Sequence, residues 1–215
     1  RNQNFIIFFR ELMSLANKYR PQTFDEMIGQ EHIIDILKAQ MLARDTVHHN
    51  YLLFGPRGTG KTTSARLIAK GLNCLNLQNG NPCNHCANCE LINTGTSLDY
   101  VEIDAASHTG VDNIREEIID KVLYPPTALR KKIYVIDEVH MLSKGAFNAL
   151  LKTIEEPKSN VCFIFATTEI HKVPDTIISR CQVFNYRKVK NDAMVQHLLH
   201  IAKAEGLEAT VPALE

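Results

Sequence analysis

Short apolar runs alternate with longer amphipathic ones along this chain. Over residues 31–44, Ile33, Ile34, Leu37 and Met41 recur at helical spacing. Tyr51-Leu52-Leu53-Phe54 then reads as a short buried strand closed by Gly55. Lys61 to Leu72 reads as a helix, Tyr100 to Ile103 as a strand, Val111 to Val122 as a helix and Ile133 to Ile136 as a second buried strand. Ser143 to Glu155 is expected to be a helix, with Pro157 just past its end. Val161 to Ala166 is another core strand, Pro174 begins a short helix, and Gln182 to Asn185 is a last strand. Strands alternating with helices imply right-handed crossovers and a mostly parallel sheet covered on both faces. The expected class is therefore three-layer α/β.

Two stretches break the pattern. Residues 74–89 are polar and rich in Asn and Cys, which marks an insertion. From Asn191 the alternation stops. Asp192 to Glu205 reads as a capped amphipathic helix carrying Met194, Val195, Leu198, Leu199 and Ile201. It is expected to open a helical domain over 191–215 that this chain cuts short, after an α/β domain over 13–190. Met13 is read as a natural start and residues 1–12 as an added or upstream extension.

Composition narrows the picture. In 215 residues, 45% are apolar, enough for a real core, and 24 Lys and Arg balance 24 Asp and Glu. Zero net charge argues against a broad electrostatic footprint for nucleic acid, so any DNA contact is expected to be local and shared with partner subunits. The early run Phe5 to Phe9 is too short to cross a bilayer and lacks the form of a secretory signal. No membrane association and a cytoplasmic location are expected.

The run Gly55-Pro56-Arg57-Gly58-Thr59-Gly60-Lys61-Thr62 fits the phosphate-loop pattern G-x-x-x-x-G-K-[ST]. It follows a strand and opens a helix, as that motif requires. Gly58 and Gly60 let backbone N–H groups converge on an anion, and the helix N-terminus adds partial positive charge. Lys61 would reach the β- and γ-phosphates of ATP, and Thr62 would offer its hydroxyl to Mg2+. The strand 132–136 ends in Asp137-Glu138-Val139-His140. Asp137 would hold the magnesium, and Glu138 would orient and deprotonate the attacking water. Strand 161–166 runs into Thr167-Thr168-Glu169, and Thr168, in preference to Thr167, is the candidate γ-phosphate or water sensor.

Cys74, Cys83, Cys86 and Cys89 give C-x8-C-x2-C-x2-C. Four thiolates match the closed tetrahedral set of structural Zn2+. His85 is a rival ligand, and an iron–sulfur cluster or a pair of disulfides are the other readings. Cys162 is read as a core residue.

These motifs add up to a resemblance. Tyr19-Arg20-Pro21, Phe24 and Ile28-Gly29-Gln30-Glu31 look like the lead-in segment of clamp-loader ATPases. So do the phosphate loop, Asp137 to His140 and Ala166 to Glu169, and Ser179-Arg180-Cys181 matches that family's Ser-Arg-Cys motif. With the four-cysteine insertion, the chain resembles the gamma/tau family of bacterial DNA polymerase III clamp-loader subunits, AAA+ ATPases, from Ala16 to about Gly206. The resemblance implies that Ala16 to Gln30 borders the adenine. Tyr19, Arg20 and Pro21 then join Gly55 to Thr63 (Thr63 included) in holding ATP. It implies that Arg180 is an arginine finger in a neighbouring subunit's site. It also implies an ATPase of the DNA polymerase III holoenzyme that opens a sliding clamp and places it on primed DNA during replication. The implied partners are the other loader subunits, the clamp, the DNA and the replicative polymerase. The family's further nucleotide-contacting arginine and its collar domain lie past the point where this sequence stops. The fragment alone is thus expected to be monomeric, to bind nucleotide weakly and to hydrolyse little. Ser107-His108-Thr109-Gly110 and Arg115 are read either as a phosphate contact or as helix capping beside a solvated cation. The alternatives are a non-hydrolysing structural loader subunit, another AAA+ DNA motor such as a branch-migration helicase, and a zinc-dependent interaction module.

Overall fold

A computed structural model describes residues 15–44, 50–107, 110–156 and 158–207. After a helical turn at 15–18 and a 3-10 turn at Phe24–Glu26, α1 spans Glu31–Leu42. Then come β1 (Asn50–Phe54), α2 (Lys61–Asn73), α3 (Ala87–Thr94) and β2 (Tyr100–Asp104). Helix α4 is built from Val111–Ile114, a π-helical turn Arg115–Ile119 and Asp120–Val122. The chain continues as β3 (Lys132–Asp137), α5 (Lys144–Glu155), β4 (Val161–Thr167), α6 (Asp175–Ile178), β5 (Gln182–Asn185) and α7 (Asn191–Ala204).

The five strands form one parallel sheet in the order β2-β3-β4-β1-β5. Alternate side chains point to opposite faces, so each strand feeds two cores. Tyr51 and Leu53 of β1 meet Leu37 and Met41 of α1 and Leu67 and Ile68 of α2. Leu52 between them faces the second core, with Ile114 and Ile118 of α4 and Phe147 and Leu150 of α5. Burying each such side chain contributes about 1.5–3 kcal/mol. Parallel pairing aligns the C-terminal ends of β1, β3 and β4. Phe54 lies beside Thr167, and Ile136 beside Phe165. In open parallel sheets ligands bind along that edge, and both candidate motifs lie on it.

The expected strands and helices fall where the periodicity put them, with three differences in detail. The insertion is not loop throughout, because α3 grows from Cys86 and ends at Gly95 in the left-handed conformation. Helix α4 holds a π turn that apolar spacing does not reveal. The N-terminus of α7 carries no side-chain cap: Lys190 precedes it without a capping bond, and Asp192 instead sits in the first turn, where its charge complements the helix dipole. By contrast, the Ser143 side chain accepts from Ala146 N–H and caps α5. Residues 1–14, 45–49 and 208–215, His108, Thr109 and Pro157 lie outside the described residues. Among the described residues no helix is long and apolar enough to cross a membrane.

Candidate nucleotide site and thiolate cluster

Backbone geometry builds the loop after β1. Gly55 adopts a φ of +149°, and a Cβ there would lie 2.3 Å from the Tyr186 carbonyl. Its N–H donates to the Thr167 carbonyl, which ties the loop to β4. Gly60 precedes α2 with a φ of +95°, a left-handed conformation that turns the chain sharply into the helix. Thr59 Oγ1 donates to the Pro56 carbonyl across the turn. Lys61 is only 7% exposed, and its ammonium donates to the Gly55 and Pro56 carbonyls at 2.8 Å each. Burial pulls its pKa down, against the opposing pull of Glu138 and Asp137.

The two motifs meet. Thr62 Oγ1 donates to Asp137 Oδ2 at 2.6 Å, joining the first turn of α2 to the end of β3. Asp137 Oδ1 accepts the Glu138 N–H at 2.9 Å. Glu138 itself has a φ of +47°, an uncommon conformation for a non-glycine residue that turns the carboxylate off the strand axis. Its Oε2 accepts from Thr168 Oγ1 at 3.0 Å and from Thr168 N–H at 3.3 Å. Arg57, 87% exposed, reaches Glu138 Oε1 at 3.6 Å. Threonine hydroxyl and carboxylate side by side are oxygen donors that would suit a hard divalent cation.

A cavity of about 630 Å³ gathers Tyr19, Arg20, Pro21, Arg57, Gly58, Gly60, Lys61, Thr62, Thr63, Asp137 and Glu138. The lead-in segment thus stands opposite the loop. Gly55, Pro56 and Thr59 do not line this cavity: the Gly55 and Pro56 carbonyls accept from Lys61, and Thr59 lines an adjoining cavity. An adjoining cavity of about 250 Å³ is lined by Pro21, Met27, Ile28, Val189 and Met194 with Gly58 to Gly60, Thr63 and His197. It is apolar on one side and backbone-rich on the other, which fits a flat heterocycle next to a phosphate loop. Arg180 lies elsewhere. It pairs with Glu155 at 2.8 Å, and its backbone carbonyl accepts from Asn50 at the start of β1, the end remote from the loop.

At the head of α4, Gly110 rather than Ser107 is the capping residue. The Ser107 hydroxyl is taken up by Asp104, and Arg115 is exposed.

The four cysteine sulfurs lie within 4.8 Å of one another, without disulfides. Backbone N–H groups of Asn76 and Cys83 donate to Cys74 Sγ, and that of Leu75 to Cys86 Sγ. Such bonds stabilise thiolate. Burial works against it, yet the donors around Cys86, Leu75 N–H first, bring its thiol down to about 6. Burial, then the Cys86 thiol, push Cys89 up. The sulfurs need little movement to reach the spacing of about 3.8 Å that tetrahedral Zn–S bonds of about 2.3 Å impose. The residues therefore fit a closed four-thiolate zinc site. His85 is outside the cluster. Cys162 is buried in β4, as expected of a core residue.

Two neighbours of the site stand inside the quoted motifs, but the motifs gave them no role of their own. His140, with a side chain 6% exposed, sits 2.9 Å from Thr167 Oγ1 and 3.4 Å from both Glu138 Oε2 and Glu169 Oε1. Gln30 is buried and joins the loop to the chain after β5: its side chain donates to the Thr59 and Arg187 carbonyls and accepts the Arg187 N–H. A lone Gln or His gives no such signal in sequence.

Fold and loop together define a P-loop protein with an AAA+-type fold. Its backbone superposes on the Holliday junction branch migration motor RuvB of Thermotoga maritima (TM-score 0.65, 21% identity, 91% of this chain and 58% of that one). It also superposes on a DNA polymerase III gamma-subunit-related protein of the same organism (TM-score 0.57, 19% identity, 78% and 53%). At such identities these likenesses establish the fold alone. Sequence resolves the family. The DNA polymerase III, delta subunit family model matches residues 29–190. The chain is 50% identical to the tau subunit of Bacillus subtilis DNA polymerase III over 202 residues, 94% of this chain and 36% of that protein. It is 50% identical to the tau/gamma subunit of Haemophilus influenzae (93% and 29%) and 47% identical to the tau subunit of Escherichia coli (94% and 31%). The chain belongs to the gamma/tau family of DNA polymerase III clamp-loader subunits. It spans about a third of the length of these relatives.

Proposed function

We propose that this chain is the ATP-binding and ATP-hydrolysing part of a clamp-loader motor subunit, which opens a sliding clamp and places it on primed DNA. The observation that carries the reading is the contact of Thr62 with Asp137, in the same cavity as Lys61 and Glu138. Lys61 leaves the Gly55 and Pro56 carbonyls for the β- and γ-phosphates, while Gly58 and Gly60 expose N–H groups to the same anion. Thr62 and Asp137 would hold Mg2+, which would supply charge neutralisation to the phosphates. Glu138 orients a water in line with the γ-phosphorus and takes its proton. Thr168, bonded to that carboxylate, senses the γ-phosphate or the attacking water. The adenine lies between Pro21, Met27 and Met194. We place the start of the helical lid at Asn191, since α7 buries only Val195 among its residues. The thiolate cluster holds zinc and orders the insertion.

Lys61→Ala is expected to weaken ATP binding about 10- to 150-fold, the cost of one or two charge-assisted hydrogen bonds, as read by titration calorimetry. Unchanged affinity would remove the loop from the nucleotide site. Glu138→Gln is expected to keep ATP affinity and lose about 10²–10⁴-fold in single-turnover hydrolysis. For the whole function, turnover of the full-length parent with its loader partners is measured with and without clamp and primed DNA. Strong stimulation by both together is expected. Turnover indifferent to both leaves an AAA+ ATPase with another client.

A further inference from the structure

The loop between Cys74 and Cys86 holds the stretch of chain that leads into the nucleotide cavity. Asn81, nearly buried, accepts the Phe24 N–H at 2.9 Å and donates to Asp25 Oδ2 at 2.7 Å. Asn84 donates to the Gln22 carbonyl at 2.9 Å and accepts from Lys70 Nζ at 2.7 Å. Lys70, 2% exposed, also donates to Gln22 Oε1 at 2.9 Å, so the oxygens it meets in these bonds are neutral. Residues 20–23 belong to no strand or helix, and these side chains supply partners that a ladder would otherwise give. Tyr19, Arg20 and Pro21, immediately before Gln22, line the cavity.

Both asparagines stand where only an ordered insertion can put them. Asn84 lies between Cys83 and Cys86 with a φ of +62°, and Asn81 two residues before Cys83. Gly80 is pressed so closely on α1 that a Cβ would lie 2.6 Å from the Lys38 carbonyl. The insertion and the helix α3 that follows from it have little apolar content to fix this geometry, with Ile92 the one buried large aliphatic residue over 74–94. Ordering therefore falls to the thiolate cluster.

We propose that the four-cysteine insertion is a positioning device for nucleotide: Asn81, Asn84 and Lys70 clamp Gln22 to Asp25, so that metal occupancy and nucleotide affinity are coupled. This rests on the nucleotide site proposed above. Linkage makes the coupling reciprocal: nucleotide tightens zinc by the same factor as zinc tightens nucleotide. A metal serving only local stability has no such effect.

The test uses the full zinc-loaded chain. Zinc affinity is measured by competition with a chromophoric chelator, with and without saturating ADP, alongside ADP affinity by calorimetry. In the wild type, ADP is expected to tighten zinc by about 5- to 20-fold. Asn84→Gly keeps the left-handed backbone accessible, and Asn81→Ala acts at the other anchor. Each is expected to retain one zinc per chain, to lose most of that shift and to bind ADP more weakly by a similar factor. Equal zinc affinity with and without ADP, in a wild type that binds ADP, overturns the coupling alone. Full coupling in both variants overturns the clamp assigned to these residues. A zinc-loaded wild type that binds no ADP overturns the nucleotide site and this inference together.

Discussion

In the assembled loader, Arg180→Ala is expected to leave ATP binding intact and to slow turnover by about 10³–10⁵-fold, the usual worth of an arginine finger. Geometry fixes which site this concerns. Arg180 is anchored through its carbonyl to Asn50, at the N-terminal end of β1, whereas the phosphate loop begins at Gly55 past the other end. Five residues of strand separate the two by about 17 Å at 3.3 Å per residue. An arginine side chain does not span that distance, so Arg180 does not reach the phosphate loop of its own chain. The Glu155 pair that holds it is half-exposed and worth about 0–1 kcal/mol, cheap to give up on docking. Two controls separate this role from damage to the fold. Turnover of the isolated chain should not change in Arg180→Ala. Arg180→Lys should recover little, because an ammonium lacks the planar fork of donors. A normal rate for the alanine variant in the full assembly would remove Arg180 from the chemistry.

The sequence carried the fold where each element could be read from its own residues. Strands β1, β3 and β4 are buried along almost their whole length, and an apolar run of that length between polar breaks suits the interior of a parallel sheet. The phosphate loop was legible for the same reason: its glycines, Lys61 and Thr62 lie within eight consecutive positions. The strand order was not legible, because β2 crosses to the far edge past two strands not yet made. Nor were Gln30 and Lys70, whose roles lie in partners brought by the fold. Gln30 meets Arg187, 157 residues on, and Lys70 meets Gln22, 48 residues back. In sequence, Lys70 looks like an ordinary solvated lysine near a helix end, and only its burial shows otherwise. The cap expected at the start of α7 is absent because Asp192 can serve a helix through charge as well as by capping.

Removing two cluster thiolates, as in Cys86→Ser with Cys89→Ser, is expected to reduce bound zinc from one per chain to none and to release the insertion. The scale is set by the metal: ordering of small zinc peptides draws on about 10–16 kcal/mol of binding free energy at neutral pH. Against that, the segment after Cys74 has one isolated bridge, Gln78 to Asn81, and the short helix α3. Neither holds without the turn between them, since an isolated helix of eight residues is unstable in water. The sheet and its two cores are built from other residues, apart from Ile92 and its neighbours Leu77 and Leu91. The variant should therefore keep the circular dichroism of a folded α/β domain. Backbone amides over 74–94 should exchange fast, and limited proteolysis should cut there first. Asn88, whose side chain donates to the Asn73 carbonyl, should then leave the end of α2 open and let it fray. Metal-free wild type prepared with a chelator should behave in the same way and recover on adding zinc, which the double variant cannot do. Protection over 74–94 that persists without metal would mean that hydrogen bonds and the Ile92 contact suffice, and the cluster would lose its structural role.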